Sequence, residues 1–92
     1  MEQSGIARDR RPASASYNPP SLAAGARVTT TVAVTGAALW DFVRVSFGLD
    51  LQGLSLTAWV SAAGTVSGRF QNGTAAAVDL GSATLRVRVE KP

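Results

Sequence analysis

The chain has 92 residues, 46% of them hydrophobic and 16% charged, with a formal net charge of +3. A chain this short forms at most one small domain of marginal stability, so we expect it to gain stability from a partner. It contains no Cys and no His, which excludes disulfides, thiolate and imidazole metal sites, and the common catalytic triads.

No apolar run approaches the roughly 20 residues that a membrane span requires. The first twelve residues, MEQSGIARDRRP, also lack the apolar segment of a signal peptide. We therefore expect no membrane partner and predict that the protein is made in the cytoplasm.

The first 25 residues are predicted to form an extended N-terminal arm. Asn18-Pro19-Pro20 stops any helix and favours extended backbone. The arm either is a disordered terminus or orders on a partner. Its candidate contacts are Arg8, Arg10, Arg11 and Tyr17, and the residues around Tyr17 are expected to add an edge strand to the sheet that follows.

From residue 26 to residue 92 the sequence predicts a β-domain, because apolar and polar residues alternate with a period of two. Turn residues such as Gly36, Gly53, Gly64 and Gly81 separate the alternating runs. The fold class is all-β, a small antiparallel β-sandwich or jelly-roll-like barrel with the extended arm. The five predicted strands are 28–35, 43–48, 54–61, 65–71 and 84–90.

Two tryptophans stand out in this pattern. Trp40 and Phe42 lie in a predicted loop, where we expect them to plug one open end of the sandwich. Trp59 alternates with Ser55 and Thr57 on the polar face of its strand. That position either contacts another chain or indicates that both faces of the sheet are covered.

The alternation also directs four arginines outward, and they form a basic stripe if their strands are neighbours. With a pI of about 10.7, such a stripe suggests nucleic acid. The net charge is only +3, however, and no aromatic residue interleaves the arginines. A solvated or interface-facing surface, with pairing to Asp50, Asp79 or Glu90, is the favoured interpretation. The four arginines are Arg44, Arg69, Arg86 and Arg88.

Candidates for catalysis are few. Asp41, Asp50 and Asp79 lie in predicted loops or at strand ends, where turn and cap roles explain isolated carboxylates. Residues 72–74 match a glycosylation sequon, but Asn-Gly is also a common turn dipeptide. We predict no catalytic residue, no cofactor, no metal and no enzymatic activity.

Five segments of the chain carry a resemblance to known proteins: 17–25, the Thr-Thr-Thr-Val strand, 35–39, 46–54 and 70–74. Through them, residues 17–89 resemble a group of short proteins encoded by tailed bacteriophages and prophages. The resemblance implies a small β-sandwich protein of the virion that decorates or cements a capsid, or forms part of a fibre. Trp40 and Trp59 depart from it, since smaller residues are expected there.

Under this hypothesis the partner is the major capsid protein or another virion protein, and the location is the capsid surface. A homo-oligomer, most plausibly a trimer, would cover the open edges of a small sheet. Two alternatives remain: a tail-fibre or receptor-binding module that uses Trp59, and a DNA-binding accessory protein that uses the arginines. Nucleic acid is the weakest of these partners.

Overall fold

A computed structural model of the chain describes residues 10–91, which form six β-strands and no α-helix. No helix in this range is long and apolar enough to cross a membrane. The strands are β1 (Arg10–Tyr17), β2 (Arg27–Ala33), β3 (Phe42–Phe47), β4 (Leu54–Ala62), β5 (Thr65–Asn72) and β6 (Ala83–Glu90).

The strands form two antiparallel three-stranded sheets. One sheet has the order β1-β6-β3 and the other has the order β2-β5-β4. Within residues 10–91 only β4 and β5 are joined as a hairpin, and every other connection passes from one sheet to the other. Since β1 pairs with β6 and β2 with β5, this winding is jelly-roll-like, and the predicted all-β sandwich is confirmed.

The core lies between the sheets and is built mainly from their central strands. Phe70 of β5 and Leu85 of β6 are 0% and 1% exposed. The Phe70 ring stacks on Tyr17 at a centroid distance of 5.8 Å and meets Phe47 edge-on at 5.1 Å. Because Tyr17 and Phe47 belong to the two edge strands of the opposite sheet, Phe70 holds both sheets together.

A buried asparagine closes one end of the sandwich. The Asn72 side chain is fully buried, and its Nδ2 donates to the carbonyl oxygens of Leu22 at 2.9 Å and Ala76 at 2.8 Å. Its Oδ1 accepts from the backbone N–H and the hydroxyl of Thr74, at 2.8 and 2.6 Å. The nitrogen that glycosylation would modify is therefore committed to the fold, and Asn72 has a structural role.

The segment predicted as an arm, 1–25, includes a strand of the sandwich. Arg10–Tyr17 is an edge strand that pairs with β6 along its whole length, which confirms the edge strand expected around Tyr17. Pro12 is tolerated because an edge strand needs hydrogen bonds on one side only. Arg8, a predicted arm contact, lies outside the described residues.

We predict that Asn72→Ala lowers the free energy of unfolding by about 2–3 kcal/mol, because it removes four hydrogen bonds of a fully buried side chain, including the acceptor of the Thr74 N–H. Gln71→Ala is the matched control, since Gln71 is the neighbouring residue but faces solvent. The control is expected to change stability by less than about 0.5 kcal/mol. Urea denaturation measures both, and equal losses for the two variants would contradict the role of Asn72.

Candidate functional site

The connection between β2 and β3 ends in three exposed apolar side chains, which we call the apolar tip. The exposed fractions are 55% for Leu39, 90% for Trp40 and 63% for Phe42. Large apolar side chains grouped in this way on the surface of a small domain are typical of interaction sites. The prediction that Trp40 and Phe42 plug the end of the sandwich is wrong, because both side chains lie in solvent and smaller residues such as Ala37 fill the core below.

The apolar tip is held in place by an ion pair beneath it. The Asp41 carboxylate accepts from Lys91 Nζ at 2.6 Å and from the Ala38 backbone N–H at 2.9 Å. Lys91 Nζ also donates to the Gly36 carbonyl at 2.7 Å. The Asp41 side chain is only 5% exposed, so solvent screens this pair weakly. The hydrogen bond from Lys91, and then that from Ala38, lower the pKa of Asp41.

Trp40 has a backbone conformation that side chains other than glycine rarely adopt. Its φ is +77°, in the left-handed region. This conformation costs about 1–2 kcal/mol for an L-residue other than glycine. Strained residues of this kind are concentrated at functional sites, where the surrounding structure enforces them. Here the bonds of Asp41 and Lys91 enforce the conformation, and the result is the display of a large aromatic ring.

The outer face of the β1-β6-β3 sheet is basic, and we call its four cations the arginine face. Glu90, the one carboxylate in this row, lies close to three of them, with N···O distances of 3.8 Å to Arg10, 3.3 Å to Arg44 and 3.4 Å to Arg88. Arg86 is the fourth cation. Four arginines against one carboxylate give this face a formal charge as large as the +3 of the whole chain.

The arginine face has a shallow, open groove of about 530 Å³ across its three strands. The hydroxyl-bearing residues Ser14 and Ser46 are the register partners of Arg86 on either side. Phe42 belongs to the same surface, since it pairs in register with Glu90, which in turn pairs with Arg10. The apolar tip and the arginine face are therefore continuous, and one aromatic residue does adjoin the arginines.

The stripe of four arginines expected from the sequence is divided between two sheets. Arg69 lies on β5, on the outer face of the other sheet, where its Nε donates to Thr29 Oγ1 at 3.2 Å. Its guanidinium lies 5.0 Å from the ring centroid of Trp59, a cation–π contact. Trp59 is 38% exposed on that outer face, as the alternation with Ser55 and Thr57 indicates. Arg69 and Trp59 thus form a second, separate surface.

Two predicted contacts of the arm point into the molecule. Tyr17 packs on Phe70, and burial raises the pKa of its hydroxyl. The Arg11 guanidinium packs on the turn at Gly36, where a Cβ would lie 2.7 Å from Arg11 Cζ, and its Nη1 approaches the Thr35 carbonyl at 3.4 Å. Both residues support the fold at these positions, whereas Arg10 joins the arginine face.

Asp41 lies apart from the other two aspartates that the sequence singles out. Asp41 lies under the apolar tip, while Asp50 and Asp79 lie in loops at the other end of the sandwich, and Asp50 Oδ1 accepts from the Gln52 backbone N–H at 3.3 Å. Of the three acidic partners considered for the arginines, Glu90 is the one in contact. In the part of the chain that the structure describes, no three His, Cys, Asp or Glu residues are grouped as a metal site.

Two consecutive residues, Glu90 and Lys91, organise these surfaces. Glu90, one of the partners expected for the arginines, contacts three of them, whereas the role of Lys91 in fixing the apolar tip was not predicted. The signal available was their position: adjacent residues at the end of a strand have side chains that diverge, and here the two carry opposite charges.

We predict that the Asp41–Lys91 pair makes the stability of the fold depend on pH in the acidic range. The pKa of Asp41 is lowered below its ordinary value of 3.8, so the stabilisation is complete above that value and is lost as the pH falls through the lower, folded-state pKa. Melting temperatures from pH 7 to pH 2 should show wild type well above Asp41→Asn at neutral pH, with the difference narrowing below about pH 4.

Asp79→Asn is the control for this experiment, because Asp79 is an exposed carboxylate at the opposite end of the sandwich. Its melting temperature should follow that of the wild type across the whole range. A difference between wild type and Asp41→Asn that stays constant with pH would contradict a charged interaction.

Comparisons with family models, with curated proteins and with solved structures find no match to this chain. The geometry of the apolar tip, the arginine face and the Trp59 surface is accordingly the basis for assigning a function.

Proposed function

We propose that the protein is a structural binding protein of a phage virion, of the capsid decoration or cement type, and that it docks through the apolar tip. The virion context comes from the sequence resemblance of residues 17–89. The mode of action, binding without catalysis, rests on the geometry of the tip. The partner under this proposal is the major capsid protein or another protein of the shell.

The observation that carries the proposal is the display of Trp40. The side chain is 90% exposed, on a backbone with φ of +77°, and the loop around it is fixed by Asp41 and Lys91. Exposing an indole on a strained backbone lowers the stability of the free protein. The same arrangement favours binding, because a rigid aromatic residue loses little conformational entropy when it enters a pocket.

The arginine face supports the same interpretation. It adjoins Phe42 and brings positive charge to the border of the apolar tip. An apolar centre with arginines at its rim is typical of protein interfaces, and the charge favours a partner with acidic groups. A capsid presents many identical sites, so weak individual contacts add through multivalency.

Self-association is part of the proposal. Four strands, β1 and β3 in one sheet and β2 and β4 in the other, are edge strands of the described fold. Open edges tend to pair with other chains unless they are covered. A closed homo-oligomer, most plausibly a trimer, would cover some of them and would present several apolar tips to the shell at once.

The second candidate is a receptor-binding or fibre module, and the Trp59 surface favours it. The Trp59 ring and the Arg69 guanidinium are in contact and lie on an outer sheet face rich in Ser and Thr. Aromatic and arginine side chains together are common in recognition surfaces.

The number of copies per virion separates the two candidates. Quantitative mass spectrometry should find many copies on the head if the protein decorates the capsid, and a few copies on the tail if it belongs to a fibre.

We predict that Trp40→Gly weakens binding to purified heads that lack this protein by at least about 30-fold, which corresponds to about 2 kcal/mol. The isolated protein should keep its stability within about 1 kcal/mol, because glycine relieves the left-handed strain while adding freedom to the unfolded chain. Cosedimentation with heads measures binding, and urea denaturation measures stability.

Leu49→Ala is the matched control, since Leu49 is an exposed leucine, 42% accessible, at the opposite end of the sandwich. It should bind heads like the wild type. Wild-type binding by Trp40→Gly, or equal weakening in both variants, would exclude docking through the apolar tip.

A further inference from the structure

The centre of the arginine face holds more positive charge than its neighbours neutralise. Arg44 and Arg88 are directly opposite each other in the register of β3 and β6. Like charges at opposite positions of an antiparallel pair are destabilising. Arg86 is two residues from Arg88 on the same strand, about 7 Å along the same face. Three guanidinium groups are therefore crowded on two adjacent strands.

Glu90 relieves only part of this repulsion. Its carboxylate is shared by Arg10, Arg44 and Arg88, and its side chain is 19% exposed. No carboxylate among residues 10–91 forms an ion pair with Arg86. Repulsion between the arginines therefore remains in the folded state. An anion bound among them would offset this repulsion and stabilise the protein.

The shape and donors of the surface match a compact anion. The groove of about 530 Å³ is lined by residues of all three strands, including Arg44, Arg86 and Arg88. Ser14 and Ser46 place hydroxyl groups on either side of Arg86 in the register. A second, smaller depression of about 370 Å³ continues past Arg86 and is also lined by Thr84. Hydroxyl and guanidinium donors thus surround Arg86.

The hydrogen-bond donors and positive charges around Arg86 outnumber the oxygens and the charge of a single carboxylate. A carboxylate has one charge and two oxygens, and Glu90 already supplies one to this face. A phosphate or sulfate group has three or four oxygens and up to two charges, and planar guanidinium groups bind it in a bidentate manner. Three arginines with two flanking serines are a suitable donor set for such a group.

We propose that this groove is a binding site for a dianionic oxyanion group, phosphate or sulfate, held by Arg44, Arg86 and Arg88 with Ser14 and Ser46. The groove adjoins the apolar tip but is built from other residues and takes a ligand of different chemistry, so this proposal goes beyond the docking function. Loss of docking in Trp40→Gly leaves the oxyanion site intact, and the two proposals fail independently.

The first test is the melting temperature of the full chain in sodium sulfate or phosphate, against sodium chloride at equal ionic strength. We expect the oxyanions to raise the melting temperature in a saturable manner, because a ligand that binds only the folded state stabilises it. Equal melting temperatures in the oxyanion and chloride buffers would overturn the site.

Arg86→Gln separates site binding from general charge screening. In chloride it should melt at or above the wild-type temperature, since it removes an unneutralised charge, whereas its affinity for sulfate should fall about tenfold or more. Arg27→Gln is the control, because Arg27 is an exposed arginine on the outer face of the other sheet. It should keep sulfate affinity within about twofold, and equal losses in both variants would overturn the proposal.

Calorimetric titration with two organic phosphates identifies the form of the ligand. Phenyl phosphate, a monoester that carries two charges, should bind at least about tenfold more tightly than the singly charged dimethyl phosphate. A single-stranded oligonucleotide, which consists of diesters, should also bind weakly. Tighter binding of the oligonucleotide than of the monoester would overturn the dianion site and indicate a nucleic-acid surface instead.

Discussion

Phe70 carries the packing on which the rest of the molecule depends, because it contacts aromatic rings from both edge strands of the opposite sheet. Each sheet has only one central strand, so β5 and β6 must supply most of the fully buried residues. On β5 the small Gly68 faces the core, where a Cβ would lie 3.8 Å from Leu85 Cδ2. The large Phe70 and the small Gly68 together set how closely the two sheets approach.

This thin core leaves the outer face of each sheet free for other roles. Strand alternation turns every second residue outward, so the apolar positions of β6 dictate that Arg86, Arg88 and Glu90 share one face. The same rule places Trp59 and Arg69 on the outer face of the other sheet. The two surfaces are therefore consequences of core packing, but their chemistry differs: one is a basic groove and the other a tryptophan among hydroxyl groups.

Local pattern was sufficient to predict the strands after residue 26 and the outward position of Trp59, because alternation depends on neighbours in the sequence. Pairing depends on distant residues, so the separation of Arg69 from the other arginines was not predictable. Arg10–Tyr17 contains small and charged residues without an apolar period, and it is a strand because β6 offers an open edge. The prediction that Trp40 is buried was wrong because it relied on hydrophobicity alone. A left-handed backbone and the Asp41–Lys91 pair direct the side chain outward.

The end of β6 connects the two parts of the candidate site. Glu90 and Lys91 are consecutive, but their side chains contact different surfaces. Glu90 forms ion pairs on the arginine face, whereas Lys91 forms an ion pair with Asp41 under the apolar tip. A shift of one residue in the β6 register would remove both interactions together, since alternation would exchange inward and outward positions. The buried valines of β6, Val87 and Val89, resist that shift because it would expose them. Core packing thus fixes the relative position of the tip and the groove, and a partner that contacts both meets a rigid surface.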